Sequence, residues 1–170
     1  MGLFGSSDPF KKFNKNMHRI HAYLNEMEHD AEKGKFKVIQ GKCEAVKRIM
    51  GVREVSGDRL IPLWGKQRIL IHNLPSSTER TSLIALHNNL KDWIQTLAAR
   101  VAGIAENAKT AAKQKKGTVP TKGFEEAMKT LDRDSEKVRA HAEKIEKIYH
   151  SAKSKAGKVV KLKRPQQQRV

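Results

Sequence analysis

Apolar residues recur along this chain at alternating intervals of three and four, and that spacing limits the fold more than any other feature. In the first stretch Phe10, Phe13, Met17, Ile20, Leu24, Met27 and Ala31 follow one another at spacings of 3, 4, 3, 4, 3 and 4. This is the seam of a coiled-coil-type helix. A second seam runs through Leu83, Leu86, Leu90, Trp93, Leu97, Val101, Ile104, Ala108 and Ala111, with one slip near Arg100 and a taper from bulky residues to alanine. A third, Phe124, Met128, Leu131, Ser135, Val138, Ala142, Ile145, Tyr149 and Ala152, keeps the spacing throughout. Helices of about 35–40 residues would be roughly 50–60 Å long at 1.5 Å per residue. The spacing predicts an all-α fold, an elongated antiparallel bundle of long coiled-coil-type helices.

Local signals set the boundaries. Asp8 is a good N-cap and Pro9 suits the first helical position, which leaves residues 1–7 outside the first helix. Beyond Ala31 two phases compete, one through Gly34, Val38, Gly41 and Ala45 and one through Phe36, Ile39, Cys43, Val46 and Met50. A bend or a change of partner near Gly34 accounts for both. Residues 51–77 interrupt the pattern with three Gly, two Pro and an apolar cluster around Trp64, which predicts a turn and a shorter helix ending before Pro75. Ser76 or Ser77 can cap the next helix, with Glu79 or Arg80 in its first turn. KQKKGTVPTKG at 113–123 is a turn, because Gly117 and Pro120 stop one helix and Thr121 can cap the next. The expected organisation is an anchor segment 1–7, a helical domain 8–152 and a basic tail 153–170.

The formal net charge is +17. Residues 1–34 and 118–152 are each neutral, with five and seven charges of either sign. The excess lies in residues 35–75 (nine basic, three acidic), 76–117 (seven and three) and 153–170 (seven and none). Such patches imply a polyanionic partner, an anionic bilayer or nucleic acid. The opening MGLFGS fits the pattern M-G-x-x-x-[ST], which marks Gly2 for acylation, and Leu3 and Phe4 can insert into an interface. One myristoyl chain binds only marginally, at about 10⁴ M⁻¹, so a second signal is required. Lys113, Lys115, Lys116 and Lys122 at the predicted turn, and Lys153, Lys155, Lys158, Lys161, Lys163 and Arg164 in the tail, supply it.

Other chemistries find little support. Cys43 is the one cysteine, so there is no internal disulfide and no cysteine cluster for a metal. His18 and His21 stand three apart on the first helix, more in keeping with the edge of a seam than with a metal site. No glycine-rich phosphate loop, HExxH or GxSxG occurs, so no enzyme and no cofactor are expected. No run reaches the ~20 apolar residues of a membrane-spanning helix. The expectation is a cytoplasmic, peripheral membrane protein. Nucleic acid is the rival partner, but nine residues of 170 are aromatic, and five of these lie on seams, so a stacking platform for single strands is absent. Duplex backbone binding needs no aromatics.

The stretch AMKTLDRDSEKVRAHAEKIEK at 127–147 resembles the last helix of BAR domains, where an LDYD-like motif precedes charged heptads; Leu131, Asp132 and Asp134 match and Arg133 replaces the usual aromatic. The resemblance implies a membrane-curving module that dimerises into a crescent and touches lipid through a basic tip loop, here KQKKGTVPTK. A retroviral-matrix-like virion protein is a second analogy. A homodimer is expected on separate grounds as well, because three long seams in one chain call for partners.

Overall fold

The computed structural model describes residues 8–115 and 117–167, with side chains as far as Lys158. Five helices account for most of it: α1 (Pro9–Glu32), α2 (Phe36–Met50), α3 (Leu60–His72), α4 (Thr78–Ala112) and α5 (Lys122–Gln167). Their ends follow local chemistry. Asp8 Oδ1 accepts from the Phe10 and Lys11 amides at 2.9 and 3.4 Å, and Pro9 opens α1. Ser77 Oγ caps α4 by accepting from the Arg80 amide at 3.1 Å. Thr121 precedes α5 and its carbonyl accepts from the Glu125 amide.

The first helix does not merely bend at Gly34. The chain reverses there, with Gly34 at φ +67°, so that α2 packs back along α1. Lys42 Nζ of α2 reaches Asp30 at 2.6 Å and Glu26 at 3.2 Å of α1, which fixes the antiparallel register. Burial works against the Lys42 charge, but the bonds to these two carboxylates outweigh it and hold its pKa above the usual lysine value. Of the two competing phases, the one through Ile39, Cys43, Val46 and Met50 is buried.

Four positions result, running up, down, up and down. α1 is flanked by α2 and α5, and α4 lies between the same two on the other side. Antiparallel pairing of α5 is fixed by Phe10 stacked on Tyr149 (centroids 4.4 Å apart) and by Lys155–Glu79 at 2.7 Å against α4. The second position is split. α2 fills its upper part, residues 51–59 loop out, and α3 fills the lower part between α1 and α4. Trp64 and the apolar cluster of residues 60–71 therefore complete the core at that end, since Leu60, Leu63, Trp64 and Ile71 are buried.

The seams pack against one another within a single chain. All seven seam residues of α1 are buried, as are Leu83, Leu90, Leu97 and Val101 of α4 and Met128, Leu131, Val138, Ile145 and Tyr149 of α5. On α4 Leu86 and Trp93 depart from the expected seam, Leu86 half-buried and Trp93 40% exposed against His141, while His87 and Ile94 are buried in their place. Alanines at 105, 108 and 111 face the bundle where α4 meets α2 near its upper end, and small side chains there let two backbones approach closely. The seam argument for a homodimer thus loses its premise, because a second copy is not needed to cover these stripes. The LDRD residues act between helices: Leu131 is core, Asp132 meets His21 of α1, and Asp134 pairs with Arg100 of α4.

Candidate anion-binding ends of the bundle

Because α1 turns into α2 and α4 into α5 at the same end, two basic turns meet there. Residues 33–38 and 109–122 together hold eight lysines and no acidic residue. Lys33, Lys35, Lys37, Lys109, Lys113, Lys115 and Lys122 are exposed. The lysine ion pairs among the described residues involve Lys12, Lys42, Lys47, Lys66 and Lys155 instead. Seven ammonium groups crowd one end without a carboxylate of their own. Two helix N-termini and two C-termini meet at this tip, so the helix dipoles largely offset one another and the lysines set the field.

A cavity of about 480 Å³ lies between the two turns, lined by apolar Phe36, Val38, Ala111 and Val119 and by lysines that include Lys35 and Lys115; Glu32 is also in its wall. Phe36 packs on Phe124 with ring centroids 4.9 Å apart, tying the first turn of α2 to that of α5. Val38 is 43% exposed among the lysines. The tip therefore combines concentrated positive charge with exposed apolar surface.

Lys113, Lys115 and Lys122, read from the sequence as lipid-binding, belong to this tip. Lys109 joins them from α4, as do Lys33, Lys35 and Lys37 from the other turn, and none of these four is among the sequence-predicted site residues. The signal for Lys33, Lys35 and Lys37 was KGKFK around a glycine, which becomes legible only once the chain is known to reverse at Gly34.

The other predicted cluster lies at the opposite end. Lys153, Lys155 and Lys158 are exposed on α5, and Lys122 and Lys153 on the same helix are separated by about 47 Å at 1.5 Å per residue. Asp8 is at this base end too, its Oδ2 3.3 Å from His150 Nε2. α5 continues past the Lys155–Glu79 pair to Gln167, a further ~18 Å. Gly2, Leu3, Phe4 and Lys116 lie outside the described residues, as do the side chains of Lys161, Lys163 and Arg164.

Between the ends the charges are largely matched. Lys12 and Lys66 both reach Asp58, at 3.1 and 3.3 Å, and the bond from Lys12 is the main cause that holds its carboxyl below the usual range. Arg139 bonds Glu136 and Glu143, and lowers the pKa of Glu136. His21 sits between Asp132 and Glu136, with Nδ1 2.9 and 3.3 Å from their oxygens, and is not joined by His18. Ligand-type atoms of Asp8, Glu146 and His150 lie within 4.8 Å of one another. Asp8 Oδ1 is already the α1 cap and Asn14 donates to Glu146, so this trio is accounted for by protein partners. Among the described residues no helix is long and apolar enough to cross a membrane. No known protein family, curated protein or solved structure matches the chain.

Proposed function

We propose that the protein binds anionic bilayers peripherally through its lysine tip and acts there as a non-enzymatic scaffold. The observation that carries this reading is the meeting of two acid-free lysine turns at one end of the bundle. Near an anionic leaflet each such lysine contributes about 1 kcal/mol, and an exposed ammonium on a flexible stem keeps that contribution without giving up a fixed ion pair. Val38 among the lysines favours a bilayer interface, where an apolar group is accommodated, over a phosphate backbone. Gly2, if acylated, is a weak anchor that requires a second signal, and the basic α5 extension at the same end of the bundle as Asp8 is the group able to supply it. The membrane-shaping part of the reading rests on the resemblance of residues 127–147 to BAR helices; a crescent would need a second copy of the chain.

Duplex nucleic acid is the alternative, since phosphates attract the same lysines. Co-sedimentation with phosphatidylserine-containing vesicles, with phosphatidylcholine vesicles and in parallel with a DNA duplex titration separates the two. Binding to the anionic vesicles alone, falling with salt, is expected. Tight duplex binding without vesicle binding, or equal binding to neutral vesicles, would refute the membrane reading.

A further inference from the structure

We infer that the bundle is a strut that holds two anionic bilayers apart, its lysine tip on one and its basic base end on the other. This rests on the membrane reading above and adds that the two ends act on different surfaces. The first ground is geometric. Lys122 and Lys153 are joined by continuous helix, so the clusters are held about 47 Å apart, whereas the Debye length at physiological salt is about 8 Å. Each end feels its own surface and not the other's.

The second ground is the flank between them. Residues 39–108 carry ten basic and six acidic groups, against eight and none in the much shorter tip turns. Several of the flank cations are committed: Lys42 to Asp30 and Glu26, Lys47 to Glu44, Arg59 to Glu54, Lys66 to Asp58 and Arg100 to Asp134. On the α1 and α5 sides, residues 8–32 carry four basic and five acidic groups and residues 123–152 six and seven. A bundle lying on its side would bring to the lipid a surface on which acidic groups offset most of the basic ones, whereas a bundle standing upright brings the acid-free lysine turns.

The third ground is that each end carries its own exposed cations, the tip joining them to apolar surface. The tip has Val38 and Phe36. At the base, Asp8 lies against His150 of α5, and the helix runs on from there through exposed Lys153 and Lys158 into an acid-free stretch.

The test uses the full chain and vesicles of equimolar phosphatidylserine and phosphatidylcholine, with binding read by co-sedimentation and clustering by dynamic light scattering. The unaltered protein is expected to bind and to cluster vesicles. Charge reversal at the tip (Lys33→Glu, Lys35→Glu, Lys113→Glu, Lys115→Glu) is expected to remove the tip's share of binding and abolish clustering, leaving the binding that the base supplies on its own. Reversal at the base (Lys153→Glu, Lys158→Glu, Lys161→Glu, Lys163→Glu) should remove the base's share and likewise abolish clustering, while leaving binding through the tip. Circular dichroism confirms that each variant folds; all the altered residues are exposed or lie in the α5 extension. Binding without clustering by the unaltered protein would overturn the strut and leave the membrane reading standing. So would loss of all binding on altering one end alone, which would mean one contact surface. Failure of the unaltered protein to bind these vesicles would instead remove the membrane reading itself.

Discussion

The imidazole of His87 lies flat on the indole of Trp64, with ring centroids 4.5 Å apart and planes 3° from parallel. Trp64 Nε1 donates to the His87 carbonyl at 2.7 Å, His87 Nε2 pairs with Gln67 Oε1 at 2.9 Å, and Gln67 Nε2 donates to the Pro9 carbonyl at 3.1 Å. The network locks α3 to α4 and to the start of α1. Stability should depend on the neutrality of His87, whose pKa burial pushes down to about 3. In the unfolded chain it returns to about 6.5, so between those values the unfolded state binds the extra proton. The contribution is complete above pH 6.5 and is lost as pH falls toward 3, by about 1.4 kcal/mol per pH unit at most. Urea midpoints measured from pH 7.5 to pH 4 (about the span over which histidine titrates) should fall for the native chain and fall less for His87→Phe, which keeps a ring but cannot titrate. Parallel slopes would show that His87 is not held neutral.

Gly51 ends α2 at φ +56°, and a Cβ there would overlap Arg59 Cβ. Gly51→Ala should lower stability by about 1–3 kcal/mol, because left-handed backbone and crowding act together. Gly103, inside α4 with open space where a Cβ would be built, is the control: Gly103→Ala should raise stability by about 0.5–1 kcal/mol. Urea unfolding of the two variants decides it. Equal signs would contradict the geometry.

Ser135 occupies a core position of α5 at 1% exposure, and its hydroxyl has no partner among the described residues. An unpaired buried hydroxyl is unfavourable, so Ser135→Ala should leave stability unchanged or raise it by about 1 kcal/mol. A clear loss in a thermal melt would mean that the hydroxyl is bonded after all.

The helices were legible because periodicity reports which face is buried whatever lies opposite. Asp8, Ser77 and Pro9 set their ends, as capping chemistry dictates. What periodicity does not carry is direction. KGKFK reads equally as a bend or a reversal, and the Lys42 pairs with Asp30 and Glu26 that distinguish the two link residues 12 and 16 apart, unlike the i, i+4 pairs a sequence pattern reveals. The predicted tip loop was therefore recognised from KQKKG, but half of the tip was not. The apolar cluster around Trp64 had no visible place because α3 substitutes for the lower part of a helix whose upper part, α2, is remote from it in composition.

The most direct test of the central claim, that the lysine tip faces the bilayer, is the emission of an environment-sensitive dye placed at the tip. Cys43 is fully buried and its thiol is pushed up to about 12 by burial first of all, so in the folded chain it stays protonated and unreactive. A thiol-reactive dye should therefore label Val38→Cys alone, and Val38 is already partly exposed, so its replacement spares the core. On phosphatidylserine-containing vesicles the emission should shift to the blue and return when salt is raised; on phosphatidylcholine vesicles it should not move. Unchanged emission while the labelled protein co-sediments with anionic vesicles would show that another surface makes the contact, and would contradict the account.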